Sequence, residues 1–133
     1  MGCGVRLLLD THVVLWSQRS SDRLSPAARA VLADLSNDVM LSAVVPWELS
    51  IKEHTGKLPE AAPLLASWRA VTEALVATPL PVDADHALLA GRLSWDRKDP
   101  FDRMLAAQAM TTGATIVGAD VVFDALPGVT RLW

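Results

Sequence analysis

Four carboxylates in this chain each stand where an apolar run gives way to a helical pattern. Asp10 ends Val5-Arg6-Leu7-Leu8-Leu9, Glu48 follows the run Val39-Met40-Leu41-Ser42, Asp102 lies in Asp99-Pro100-Phe101-Asp102, and Asp120 follows Thr115-Ile116-Val117. If the apolar runs are parallel strands, Asp10 and Asp120 share one edge of the sheet. Glu48 and Asp102 then sit in the first turns of helices that start from that edge. Carboxylates brought into one concavity repel each other, and burial raises their pKa values unless a cation compensates. An oxygen-only donor set suits Mg²⁺ or Mn²⁺ rather than a soft metal.

Each acid also has an ordinary structural role open to it. Asp10 and Asp120 can cap the helices that follow them, a contribution of about 0.5–2 kcal/mol each. Asp99, with Pro100 at the first helical position and Asp102 three residues on, reads as a reciprocal capping arrangement. Singly, capping explains each acid about as well as chemistry does. Their common placement at strand ends and helix starts favours a shared site.

The elements that position them alternate. A first strand over residues 5–9 leads into a helix from Thr11. Ser25 and Pro26 open a helix through Ala27, Val31, Leu32 and Leu35. A second strand covers 39–42, and a helix over 43–55 carries Pro46 in its first turn and ends at Gly56. A helical stretch lies within 58–77. Leu80-Pro81-Val82 is a weak third strand, because each proline removes a ladder donor. Helices from Asp83 and over 100–112 follow, the latter closed by Gly113, then a fourth strand at 115–117 and a terminal fifth within 129–132. Strands alternating with helices imply an α/β fold with a central, mostly parallel sheet of four to five strands. In such sheets functional groups gather past the carboxyl ends of the central strands. Residues 1–133 read as a single domain, with 1–4 a frayed lead-in.

Half of the 133 residues are apolar, which excludes a disordered chain, and the net charge of −3 excludes a protein that holds nucleic acid by a global basic surface. The single Cys3 fits a reducing compartment, so the cytoplasm is expected. No apolar run reaches the ~18 residues of a membrane span, and no signal peptide is recognisable. His12, His54 and His86 lack His or Cys neighbours at zinc-ligand spacing and read as surface or helix-face residues. No phosphate-binding glycine loop or nucleophile motif is present. Trp16, Trp47, Trp68, Trp95 and Trp133 read as core or interface anchors, with Trp95 in a charged loop open to either role.

Leu7-Leu8-Leu9-Asp10-Thr11-His12-Val13, Trp47-Glu48-Leu49-Ser50-Ile51-Lys52 with Gly56-Lys57-Leu58, Asp99-Pro100-Phe101-Asp102-Arg103 with Ala106-Ala107-Gln108-Ala109, and Ala119-Asp120 together resemble the PIN-domain ribonucleases. The likeness is greatest to the VapC-type toxins of toxin–antitoxin modules. It covers almost the whole chain, with the motifs in the family's order. The resemblance implies a three-layer α/β/α domain and a Mg²⁺- or Mn²⁺-dependent endoribonuclease, in which metal-activated water cleaves RNA to 3′-hydroxyl and 5′-phosphate ends. Asp10, Glu48, Asp102 and Asp120 match the family's catalytic, metal-holding quartet, and Asp99 matches a further acid. The resemblance also implies a VapB-type antitoxin partner and homodimerisation. Gly118 departs from the family, which often has Thr or Ser there. The missing hydroxyl is expected to weaken metal binding, and Gly118→Thr to restore it. Pro46 is also unusual ahead of the glutamate.

Arg92, Arg97, Lys98 and Arg103 cluster near Asp99 and Asp102. Arg97, Lys98 and Arg103 are candidate RNA contacts at the rim of the acids, against the alternative of solvated charge that balances Asp96. Two other classes compete with the nuclease. One is a non-catalytic module that uses the acids for docking, which the full set of acids disfavours. The other is a metal-dependent phosphoryl-transfer protein on a similar sheet, for which a phosphatase would want a second Asp where His12 stands.

Overall fold

Leu7, Leu8 and Leu9 are all fully buried. Successive strand residues face opposite ways, so the strand they form must be covered on both sides. In the computed structural model, which describes residues 4–133, these leucines lie in β1 (Arg6–Leu9), the middle strand of a five-stranded parallel sheet. The others are β2 (Asp38–Ser42), β3 (Thr78–Leu80), β4 (Thr115–Val117) and β5 (Thr130–Leu132), in the order β3-β2-β1-β4-β5. Of the lead-in expected over residues 1–4, the first three residues lie outside those described. Seven helices flank the sheet: α1 (Thr11–Arg19), α2 (Pro26–Ala33), α3 (Val44–His54), α4 (Ala62–Ala66), α5 (Trp68–Ala74), α6 (Ala84–Arg92) and α7 (Pro100–Thr112). The result is the three-layer α/β/α architecture expected from the sequence.

Topology decides where a site can form. The chain builds outward from β1 through β2 to β3, then returns to place β4 on the other side of β1, where Leu8 pairs with Ile116. Strand order therefore reverses between β1 and β4, and the crevice beyond their carboxyl ends is the usual place for a site in such sheets. Asp10 and Asp120 leave β1 and β4 at that crevice.

Local chemistry accounts for the helix ends. Ser25 Oγ accepts from the Ala28 N–H at 3.0 Å, with Pro26 at the first helical position. Gly113, at φ +70°, closes α7 in the left-handed conformation that favours glycine. Pro46 is the third residue of α3, within the first turn, where N–H groups have no partner inside the helix, so its missing donor costs nothing there.

Four readings need correction. The helix opened by Ser25 and Pro26 ends at Ala33, short of Leu35, which is exposed. The third strand is Thr78–Leu80, displaced by two residues from Leu80-Pro81-Val82. It is an edge strand bonded to β2 alone, which is where a ladder tolerates a residue such as Pro79. The helical stretch within 58–77 is broken into a 3₁₀ turn (Pro59–Ala61), α4 and α5, with Ser67 leaving helical geometry between the last two. His86 lies on α6 but is buried rather than at the surface: its N–H donates to Asp83 Oδ1 and its Nδ1 accepts from the Asp83 N–H.

Arg103 of α7 fixes the loop that precedes its own helix. Its Nε donates to the Ala90 carbonyl at 2.9 Å, Nη2 to that of Leu93 at 2.7 Å, and Nη1 to those of Trp95 and Arg97 at 3.0 Å each. The guanidinium is thus committed to four carbonyls at the end of α6 and along residues 93–97. Arg103→Met would leave those carbonyls without that partner and is expected to destabilise the fold by about 2–3 kcal/mol. Urea unfolding checks this, and a loss under about 0.5 kcal/mol would contradict the structural role.

Candidate active site

Asp10 is the first residue past β1 and the N-cap of α1. Its Oδ1 accepts from the Thr11 N–H at 2.7 Å, and the residue is only 8% exposed. Asp120 follows β4 across Gly118 and Ala119. Its Oδ1 accepts from the Val122 N–H at 3.0 Å, while the side chain stays open to solvent. Both acids therefore cap, as their ordinary role predicts, and each does so with Oδ1, leaving Oδ2 free for other partners.

Glu48 lies one turn into α3 and is buried. Its Oε1 accepts from Thr11 Oγ1 at 2.6 Å, and its Oε2 is paired with Lys52 one turn further along the same helix. Asp99 caps α7 as expected, accepting from the N–H groups of Phe101 at 2.8 Å and Asp102 at 3.2 Å. Asp102 does not complete the reciprocal cap. Its buried carboxylate turns instead to Arg97, whose Nε donates to Oδ2 at 2.8 Å. Arg97 Nη2 also lies 3.6 Å from Asp120 Oδ2.

These side chains line one concavity of about 310 Å³: Asp10, Glu48, Asp99, Asp102 and Asp120, together with Lys52 and Arg97. His12 and Trp16, their rings 5.5 Å apart, complete one wall. All five acids singled out in the sequence thus converge. Of the three cations proposed for its rim, Arg97 lies in the concavity itself, Lys98 is exposed and does not line it, and Arg103 is bound to backbone carbonyls. Sequence reasoning missed two contributors. Thr11 orients Glu48, and only the fold joins them. Lys52 stands four residues after Glu48, the spacing of an intrahelical ion pair, and that signal was available.

Charge is unevenly compensated. Burial, reinforced by the neighbouring Asp102, Glu48 and Asp120, pushes the Asp10 carboxyl up to about 7, against the single opposing hydrogen bond from Thr11. Among the described residues no cation is paired with Asp10. Burial also raises Asp102, partly opposed by Arg97. Such an oxygen-lined, under-neutralised pocket fits a hard divalent cation, with Asp10 Oδ2 as its least satisfied donor. Among the described residues no three of His, Cys, Asp or Glu are placed to hold a metal ion as the side chains stand. In this arrangement Lys52 is paired with Glu48, and Arg97 with Asp102 while facing Asp120.

The family model of the PIN domain matches residues 7–129. The chain belongs to the PIN domain family. No curated protein matches its sequence. Among solved structures this PIN domain is similar to VapBC2 from Rickettsia felis bound to a DNA fragment from its promoter, at 15% identity and TM-score 0.68, covering 96% of this chain and 98% of that one. It is also similar to FitAcB from Neisseria gonorrhoeae, at 20% identity and TM-score 0.66 with 96% of both chains covered. A third is VapBC-5 from Mycobacterium tuberculosis, a member of the VapBC family of toxin-antitoxin systems, at 22% identity and TM-score 0.61, covering 96% and 98%. At these identities the likeness is one of fold.

Gly118 has a steric role in this PIN domain. A Cβ there would come within 3.0 Å of Asp10 Cβ and 3.1 Å of Asp10 Oδ2. Gly118→Thr therefore presses on Asp10 as well as adding a hydroxyl, so the substitution does not simply restore a ligand-ordering group.

The raised Asp10 carboxyl sets a pH dependence. A group with a pKa of about 7 when folded and 3.8 as its ordinary value binds more protons in the folded state between those limits. Its contribution to stability is fully present below about pH 4 and is lost as pH rises through 7, by on the order of 4 kcal/mol at most. Asp10→Asn keeps the capping oxygen and removes the titration. In chelator, its stability relative to wild type is expected to grow from pH 5 to pH 8 and then level off. A difference that does not change with pH would refute the buried, unpaired charge.

Proposed function

We propose that this PIN domain is a Mg²⁺- or Mn²⁺-dependent endoribonuclease, the toxin of a VapBC-type toxin–antitoxin pair. The observation that carries the reading is the set of four acids at the point where strand order reverses, three of them buried and Asp10 without a cation. Membership of the PIN domain family supports nuclease chemistry, and the fold likeness to VapBC complexes supports a VapB-type partner.

Asp10, Glu48, Asp102 and Asp120 would hold the ion, with Asp99 adding charge at the first turn of α7. When bound, the metal supplies neutralisation of the scissile phosphate and acidification of the attacking water. The chain's own residues do the positioning. Thr11 fixes the Glu48 carboxylate through its hydroxyl and anchors Asp10 through its N–H. Asp99 holds the first turn of α7 so that Asp102 faces inward. Exposed Lys98, and Arg97 once free of Asp102, are the local cations for RNA phosphate that a chain of net charge −3 requires. Homodimerisation and a cytoplasmic location belong to the same reading. No helix among the described residues is long and apolar enough to cross a membrane.

The test is incubation of total cellular RNA with the purified chain, free of antitoxin, in Mg²⁺ or Mn²⁺, beside Asp10→Asn and an EDTA control. Discrete fragments that disappear in both controls are expected. Intact RNA in the presence of folded protein that binds no metal would overturn the metal-dependent ribonuclease and return the acids to a docking role.

A further inference from the structure

Among the described residues, Arg97 is one of the two cations that line the acidic concavity. It donates to buried Asp102 at 2.8 Å and reaches toward Asp120 at 3.6 Å, so one guanidinium bridges acids from two different elements. Its backbone is held separately, since its carbonyl accepts from Arg103 Nη1 at 3.0 Å. Its side chain is 39% exposed, with an open route to solvent. A backbone held on its own and a half-exposed guanidinium describe a side chain that can leave without unfolding its loop.

We propose that Arg97 is a built-in counter-ion that competes with the divalent metal for Asp102 and Asp120, so that loading the site requires its displacement. This rests on the reading of the acids as a metal site and adds what holds them when no ion is bound. Buried carboxylates repel and demand positive charge. Arg97 supplies it to Asp102 and Asp120, but not to Asp10, which is as buried as Asp102 and stays unpaired. A divalent ion would place twice the charge on the same oxygens with more donors, so it can win the exchange. It must first break a charge-assisted hydrogen bond. The arginine thereby sets a threshold for metal occupancy within the chain itself, independent of any partner.

Calorimetric titration of Mn²⁺ into the full chain tests this, comparing wild type, Arg97→Gln and Asp102→Asn. Loss of one charge-assisted bond should make Arg97→Gln bind Mn²⁺ about tenfold more tightly than wild type, and Asp102→Asn should bind weakly or not at all. In the wild type, ¹H–¹⁵N spectra should show a protected Arg97 Nε–H that loses its protection as Mg²⁺ is added, a readout that needs no variant. Unchanged or weaker Mn²⁺ binding by Arg97→Gln, or an Arg97 Nε–H still protected at saturating Mg²⁺, overturns the competition while leaving the metal site intact. No Mn²⁺ binding by either wild type or Arg97→Gln overturns the metal site itself, and the competition with it.

Discussion

The burial of a carboxylate at the end of the central strand is the constraint to which the surrounding structure answers. Asp10 lies next to three fully buried leucines, where an ionised side chain is unfavourable. A single backbone hydrogen bond from Thr11 is all that opposes this. The remaining acids carry their own compensation: a hydroxyl and an ammonium on Glu48, a guanidinium on Asp102, backbone N–H groups on Asp99 and Asp120. Compensation is thus uneven: Glu48 and Asp102, as buried as Asp10, have cationic partners, and Asp10 has none. That imbalance is what a bound cation would relieve, and the apolar core tolerates the cost because β1 is held on both sides by parallel neighbours.

Much of this was legible in residue types and order. The abrupt stop of an apolar run at Asp10 marked both a buried strand and the first acid of the site. Ser25-Pro26, Asp99-Pro100 and Gly113 marked helix ends correctly, because capping is decided within a few residues. The convergence of Asp10, Glu48, Asp102 and Asp120 followed from assuming a parallel sheet, a global assumption that the alternating strand and helix pattern supported, whereas Asp99 joined them only through the family resemblance.

What stayed hidden depends on neighbours far away in the chain. Arg97 and Lys98 are adjacent cations with equal claim to the rim, yet one enters the concavity and the other faces water. Only the path of the loop, set by Arg103 on four carbonyls, separates them. His86 is buried because α6 packs against α7, where Gln108 approaches its ring at 3.4 Å, a contact between residues 22 apart. The reciprocal cap expected of Asp102 failed for a similar reason. A local rule assigned its carboxylate to the Asp99 backbone, and a stronger, charged partner from the loop claimed it.

Gly118 shows how a departure from a family pattern can be read two ways. Read as a missing hydroxyl, it would weaken the site. As a missing Cβ it lets the segment between β4 and Asp120 lie against Asp10 with no side chain between them. The backbone there is held on both sides: the Gly118 N–H donates to the Leu132 carbonyl at 3.2 Å, and its own carbonyl accepts from Arg131 Nη1 at 3.0 Å. Arg131 is in turn clamped by Asp124 through two bonds of 2.9 Å. A segment so fixed cannot retreat from a larger residue, so the strain of any side chain at 118 would fall on Asp10. Close packing here also belongs to the burial that raises the Asp10 carboxyl. The glycine and the perturbed acid are therefore parts of one arrangement, in which tight contact across the β1–β4 crevice deepens the demand for a cation.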